Sequence, residues 1–216
     1  MKGVLFDWDG VVIDSSAHHE RSWEILAVEI GKPLPDGHFK AGFGKKNQII
    51  IPGILHWADN PAEVSALADR KEEIYRALVQ QSGVIILPGA KELLAALQKE
   101  NIPAAVASST PRSNLDVIFS STGLDRFFEA VVCGDDVTNG KPAPDVFLLA
   151  ASKLGIAPAD CVVIEDAHAG IEAALAADMR VVAVATTNPL ANLHRATAAV
   201  ESLEGITPAS LRSLFA

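Results

Sequence analysis

Lys2-Gly3-Val4-Leu5-Phe6-Asp7-Trp8-Asp9-Gly10-Val11 is an apolar run that stops abruptly at two carboxylates and a glycine. A short apolar run bounded in this way reads as a buried strand. In α/β proteins, ligands collect at the carboxyl ends of parallel strands. Asp7 and Asp9 are two apart on an extended segment, so they point to opposite faces and suit two different tasks. Two readings stand at this point. One is a turn, which Asp-Gly commonly makes; the other is a pair of working carboxylates.

Four more apolar runs follow. Ile102-Pro103-Ala104-Ala105-Val106-Ala107 leads into Ser108-Ser109-Thr110-Pro111, and Ala130-Val131-Val132-Cys133 forms the next. Cys161-Val162-Val163-Ile164 leads into Glu165-Asp166, and Arg180-Val181-Val182-Ala183-Val184-Ala185 is the last. Between them apolar residues recur at helical spacing: Leu93, Leu94 and Leu97 after Pro88-Gly89, then Leu115, Ile118 and Phe119. Val146, Phe147, Ala150 and Leu154 mark a third helix, and Ile171, Ala174 and Leu175 a fourth. Thr207-Pro208 opens a final one. Five short strands spaced mostly by helices predict a doubly wound parallel sheet, an α/β core of the Rossmann-like kind.

Residues 15–84 interrupt that pattern. Trp23, Leu26, Ala27 and Ile30 predict a helix over 17–31, stopped by Gly31. A second helix is predicted over 62–82, opened by Asn60-Pro61 and closed by Ser82-Gly83. The stretch between them is rich in Gly, Lys, Asn and Pro, with one apolar run at Gln48-Ile49-Ile50-Ile51. The nearest strand-like run is 84–87. The block reads as a second, smaller helical domain inserted after the first strand. The core is then residues 1–14 and 85–216, joined to 15–84 by linkers near 14–17 and 82–88.

Composition narrows the function classes. The chain has 216 residues, 49% hydrophobic, and a net charge of −9 with both signs interspersed, so it carries no basic footprint for nucleic acid or an anionic membrane. Cys133 and Cys161 lie in apolar runs without ligand-like spacing and read as buried thiols. The first strand begins at residue 2, which leaves no room for a leader, and no apolar run approaches membrane-spanning length. A cytoplasmic monomer with a small-molecule substrate is the expectation.

The strand ends carry the chemistry. The first ends in Asp7 and Asp9, the second in Ser108 with Ser109 beside it, and the fourth in Glu165 and Asp166; Lys141 opens the loop after the third. An Asp nucleophile, a second Asp, a hydroxyl, a lysine and an acidic pair together describe phosphoryl transfer to a carboxylate. The acids suit Mg²⁺, a hard cation that takes one or two carboxylates along with phosphate oxygens and water. Lysine and serine bind the remaining phosphate oxygens.

Asp7-Trp8-Asp9-Gly10-Val11, Ser108, Lys141 in Gly-Lys-Pro-Ala-Pro-Asp, and Ile164-Glu165-Asp166-Ala-His-Ala-Gly-Ile resemble, in order, the four motifs of the haloacid dehalogenase-like superfamily. The resemblance spans the whole chain, and the helical insertion looks like the cap of its β-phosphoglucomutase and phosphoglycolate-phosphatase-like branch. It implies that Asp7 is the nucleophile and an Mg²⁺ ligand. Asp9 is then the general acid and base and lends its backbone carbonyl to the metal. Ser108, Ser109 and Lys141 bind the transferring phosphoryl group, and Asp166 ligates the metal with Glu165 nearby. Asp9 argues against dehalogenases, which lack the second Asp, and against phosphonatases, which carry a small residue there.

Substrate selection falls to the insertion. His19 and Trp23 share a helix face; Trp23 reads as packing, and His19, which has a similar histidine in the mutase branch, either packs or hydrogen-bonds near the acid/base. Lys71 interrupts the apolar stripe Val64, Leu67, Ala68, Ile74, Tyr75 and Leu78, so it either snorkels or reaches a substrate. In Gly42-Phe43-Gly44-Lys45-Lys46-Asn47, Lys45 is either solvated or binds a distal phosphate. Mutases carry an arginine and a serine where Lys45 and Gly44 stand here. His168 reads as structural. The chemistry expected is an Mg²⁺-dependent phosphatase acting on a small phosphorylated metabolite such as a sugar phosphate. The alternatives are a phosphosugar mutase and a catalytically silent binding protein, the latter disfavoured because no nucleophile or ligand is missing.

Overall fold

The computed structural model describes residues 1–42 and 45–215. In chain order the first elements are β1 (Gly3–Phe6), β2 (Ile13–Asp14), α1 (Ser16–Ile30), α2 (His38–Gly42), α3 (Asn47–Ile50) and α4 (Pro61–Ser82). Next come β3 (Ile85–Ile86), α5 (Ala90–Lys99), β4 (Ala104–Ala107), α6 (Arg112–Thr122) and β5 (Ala130–Val132). The chain continues through α7 (Asp145–Leu154), β6 (Cys161–Glu165), α8 (His168–Ala176), β7 (Arg180–Val184), β8 (Ala198–Val200) and α9 (Pro208–Ser213). Two compact units result. One comprises residues 1–14, 85–112 and 122–216, the other residues 15–84 and 113–121.

The first unit is organised by β1. All four of its residues are buried, and it lies between β4 and β6 in a parallel sheet of order β5-β4-β1-β6-β7-β8. Leu5 stands opposite Ala105 on one side and Val163 on the other; Phe6 stands opposite Val106 and Ile164. The chain runs outward from β1 through β4 to β5, then returns to β6 on β1's far side. The order therefore reverses between β1 and β6, the place where such sheets open a crevice at their carboxyl ends. Side chains alternate across the sheet. Leu5, Ala105, Val163 and Val181 belong to one core cluster with Phe147, Ala150, Ile171 and Ala174, from α7 and α8. Phe6 packs edge-on against Phe128, ring centroids 6.0 Å apart.

The five expected apolar runs form β1, β4, β5, β6 and β7. A sixth parallel strand, β8, adds an edge, with Val182 opposite Ala198 and Val184 opposite Val200. Its run Ala198-Ala199-Val200 is apolar but only three residues long and half buried, too short to announce a strand. The strand-like run near residue 85 is β3. It pairs antiparallel with β2, Ile13 opposite Ile86, and two residues are too few to display an alternation. Cys133 and Cys161 are buried free thiols.

The second unit rests on α1 and α4, with α3 and the helical turn Ile51–Leu55 completing its core. Trp23, Leu26, Ile50, Ile51, Leu55, Trp57, Val64 and Ile74 form one cluster, and the two tryptophans meet edge-on at 5.8 Å. The start of α4 is fixed locally. Asn60 accepts hydrogen bonds from the Ala62 and Glu63 amides at 2.9 and 3.4 Å, and Pro61 occupies the first turn. Most of α6, residues 113–121, packs with this unit. Among the described residues no helix is long and apolar enough to cross a membrane.

Leu5 is fully buried at the centre of the sheet. Leu5→Ala is expected to lower unfolding stability by about 2–5 kcal/mol, read as a lower urea midpoint with an unchanged slope.

Candidate active site

The end of β1 carries Asp7, whose amide continues the ladder by donating to the Ile164 carbonyl at 2.9 Å. That bond sets Asp7 beside the end of β6, where Glu165 and Asp166 emerge. Oxygens of Asp7, Glu165 and Asp166 all lie within 4.8 Å of one another. Lys141, from the loop before α7, places its ammonium 2.7 Å from Asp7 Oδ1 and 2.7 Å from Glu165 Oε1. The same ammonium sits over the Phe147 ring, 4.9 Å from its centroid.

Glu165 is engaged on both oxygens. Oε1 accepts from Lys141, and Oε2 accepts from the Asp166 and Ala167 amides at 2.7 and 2.6 Å. It lies so close over the first turn of α8 that a Cβ at Gly170 would stand 1.7 Å from Glu165 Oε1. Asp9 faces a different set of partners. Its Oδ2 accepts from the Thr110 hydroxyl, and that hydroxyl also accepts from Ser108 Oγ at 3.1 Å. The two aspartates thus have separate surroundings, as expected of residues two apart on an extended segment.

Electrostatics mark the cluster as short of positive charge. Burial pushes the Asp7 carboxyl up to about 7; Lys141 opposes this, while Glu165 and Asp9 push the same way as burial. Burial, then the charges of Glu165 and Asp7, raise Asp166 above the ordinary carboxylate range. Burial alone would lower the Lys141 pKa, but Asp7 and Glu165 outweigh it and hold the ammonium above its usual value. Hard oxygen donors this close together, with one lysine to balance them, fit a divalent cation such as Mg²⁺.

Of the residues singled out in sequence, Asp7, Asp9, Ser108, Lys141, Glu165 and Asp166 are gathered at one sheet edge. Thr110, which is not singled out in sequence, holds Asp9. The strand-end rule also reaches further than expected. Thr186, Thr187 and Asn188 follow β7 after Ala185, and Thr187 donates to Asp166 Oδ2 while Asn188 donates to the Asp166 carbonyl at 3.0 Å. A polar group at the end of the fifth strand is the signal that could have found them.

In the helical unit, Lys71 is only 2% exposed and does not snorkel. Its ammonium lies 2.6 Å from His19 Nδ1 and 3.0 Å from Glu72 Oε1, and near the Trp23 and Tyr75 rings. His19 stacks on Tyr75 at 4.1 Å. Glu72, unremarked in sequence, accepts from Asn47 Nδ2 at 2.7 Å and from Asn114 Nδ2 at 2.6 Å. Burial alone would raise Glu72, but Lys71, His19 and the two amides outweigh it and hold the carboxyl at about 2. Lys45 is exposed, its amide donating to the Gly42 carbonyl at 2.9 Å. Phe43 and Gly44, the latter at the position of the mutases' serine, lie outside the described residues.

A parallel sheet of this order, with carboxylates gathered where the order reverses, is an α/β architecture that carries a candidate site at its carboxyl edge. Residues 1–178 match the family described as haloacid dehalogenase-like hydrolase, and the chain belongs to that family. It is 36% identical over 215 residues to the Arabidopsis thaliana chloroplastic 5-amino-6-(5-phospho-D-ribitylamino)uracil phosphatase, covering 98% of this chain and 57% of that protein. The chain therefore spans little more than half the length of that relative. It is 35% identical over 196 residues to β-phosphoglucomutase of Bacillus subtilis, covering 88% of this chain and 86% of the relative. The crystal structure of a HAD hydrolase of family IA, variant 3, from Entamoeba histolytica matches with a TM-score of 0.90 at 31% identity, covering 99% of each chain.

Glu72 generates a pH prediction. Its carboxyl titrates near 4.5 in the unfolded chain and at about 2 in the fold. The stabilisation is therefore complete above 4.5 and is lost as pH falls from 4.5 through 2, on the order of 3 kcal/mol. Glu72→Gln is expected to lower stability at pH 7 and to flatten the acid limb of a denaturation series.

Proposed function

We propose that this protein is an Mg²⁺-dependent phosphatase that hydrolyses a small phosphorylated metabolite of the sugar-phosphate kind through an aspartyl-phosphate on Asp7. The observation that carries this reading is the Asp7–Lys141–Glu165 arrangement beside Asp166, with Asp9 held apart on Thr110. Asp7 would attack phosphorus as the ester P–O bond breaks, and protonated Asp9 would hand its proton to the leaving alkoxide. Asp9, now a carboxylate, would take a proton from water as that water attacks the aspartyl-phosphate. Inorganic phosphate leaves and both aspartates return to their starting states.

Lys141 would hold both the nucleophile and a phosphoryl oxygen, and Ser108 would turn its hydroxyl from Thr110 to donate to another. Asp7 and Asp166, with the Asp9 carbonyl, would hold the cation; Glu165, already engaged by Lys141 and two amides, would orient the lysine. A bound Mg²⁺ supplies charge cancellation between the Asp7 carboxylate and the phosphoryl oxygens. The helical unit would serve as the cap that selects substrate, through Lys71, His19 and Lys45. The cytoplasm as its compartment, small metabolites as its only partners and a monomeric state complete this reading.

A second reading, a phosphosugar mutase, draws on the likeness to the B. subtilis enzyme. It uses the same two aspartates but returns the phosphoryl group to a second hydroxyl. Lysine at position 45, where mutases carry arginine, replaces a bidentate fork with a point charge and favours the phosphatase.

Phosphate release from a panel of phosphorylated metabolites with Mg²⁺ is the expected activity, and chelation is expected to remove it. Asp7→Asn is expected to cut turnover by roughly 10³-fold or more; retained turnover rejects the assigned nucleophile. With β-glucose 1-phosphate and a trace of glucose 1,6-bisphosphate, free phosphate as the main product supports the phosphatase, whereas glucose 6-phosphate selects the mutase.

A further inference from the structure

The loop of residues 186–188 has no part in the steps above, yet it makes three side-chain hydrogen bonds to the loops that carry the acidic cluster. Thr187 Oγ1 donates to Asp166 Oδ2, and Asn188 Nδ2 donates to the Asp166 carbonyl at 3.0 Å. Thr186 Oγ1 donates to the Gly10 carbonyl, in the loop that leaves β1. Asp166 is thus tied at one carboxylate oxygen and at its own main chain, by neighbouring residues of a single loop.

Gly10 completes the clamp from the other side. Its φ of +80° suits glycine, and a Cβ there would lie 2.0 Å from Asp166 Oδ2 and 3.1 Å from Thr187 Oγ1. The backbone of the β1 loop leaves just the room that the carboxylate and hydroxyl pair occupies. A carboxylate turns freely about its side-chain bonds, and one crowded by Asp7 and Glu165 is repelled from the position in which all three share a cation. A donor on one oxygen opposes that rotation and leaves the second oxygen for a metal. Hydrogen-bond partners of metal-binding carboxylates alter affinity by roughly 10–100-fold.

We propose that Thr187 is a positioning residue for Asp166, and that the loop of residues 186–188 sets the affinity of the acidic cluster for a divalent cation. The inference rests on reading that cluster as a cation site. Thr187 is exposed, so exchanging its hydroxyl for a methyl leaves the core untouched.

The test is a Mn²⁺ titration of the full chain, with free ion followed by electron paramagnetic resonance and no turnover involved. Thr187→Val keeps the shape and removes the donor; its dissociation constant is expected to rise roughly tenfold or more. Thr187→Ser keeps the donor and is expected to stay within roughly threefold of the unsubstituted chain. Asn188→Ala removes the second tie and is expected to weaken binding as well. Unchanged affinity in Thr187→Val, or equal loss in the Val and Ser variants, overturns the role of Thr187 and leaves the cation site standing. Unchanged affinity in Asn188→Ala overturns the role of the loop. Failure of the unsubstituted chain to bind Mn²⁺ overturns both the clamp and the cation reading beneath it.

Discussion

Like charges held together in a nearly dry place are the constraint around which the first unit is arranged. Asp7, Glu165 and Asp166 bring three carboxylates within reach of one another, and a single buried ammonium, Lys141, balances them. Left alone, such a cluster would take up protons or open, which is why burial drives Asp7 and Asp166 upward. The surroundings supply what the charges lack. Two amides at the turn after β6 hold Glu165, Thr187 and Asn188 hold Asp166, and Thr110 holds Asp9. The parallel sheet makes this possible because it brings distant segments to one edge.

The helical unit solves a related problem differently. Lys71 and Glu72 are buried together, and their opposite charges satisfy each other with help from His19, Asn47 and Asn114. A buried pair of this sort is costly to break from one side, because the survivor is left charged without a partner. Here the pair is nearly self-sufficient, and Glu72 stays ionised at about 2. The acidic cluster of the first unit has more negative charge than its lysine can balance. That contrast supports the proposal that the acidic cluster accepts a cation, while the helical unit already holds one in Lys71.

The fold was legible because its strands are buried on both faces and so read as continuous apolar runs ending in polar groups. β8 escaped because its apolar run, Ala198-Ala199-Val200, is too short and too lightly buried to stand out. Asp7, Asp9, Ser108, Glu165 and Asp166 were legible for the same reason as the strands that carry them, whereas Thr110 and Thr187 were not. Lys71 was visible as an interruption of a helical stripe, but its outcome was open. The chain could have let it snorkel, and instead it is enclosed by His19, Glu72 and two aromatic rings. Nothing local distinguishes Glu72 from any other helix carboxylate, since its partners Asn47 and Asn114 lie far away in the chain.

Asp7-Trp8-Asp9-Gly10, with the polar ends of the later strands, determined from sequence alone the class of sheet, the residues at its edge and the separate surroundings of its two aspartates. Strand period and burial are local properties, and they are written in the order of the residues. The tertiary structure alone decided the partners. It set Thr110 on Asp9, turned both Glu165 oxygens toward donors, brought Thr187 and Asn188 to Asp166, and closed Glu72 against Lys71. The contacts of Thr110 with Asp9, Lys141 with Glu165, and Thr187 and Asn188 with Asp166 join segments that have no local signal for one another. Hydrogen-bond geometry over angstroms follows from how the elements pack, which periodicity does not record.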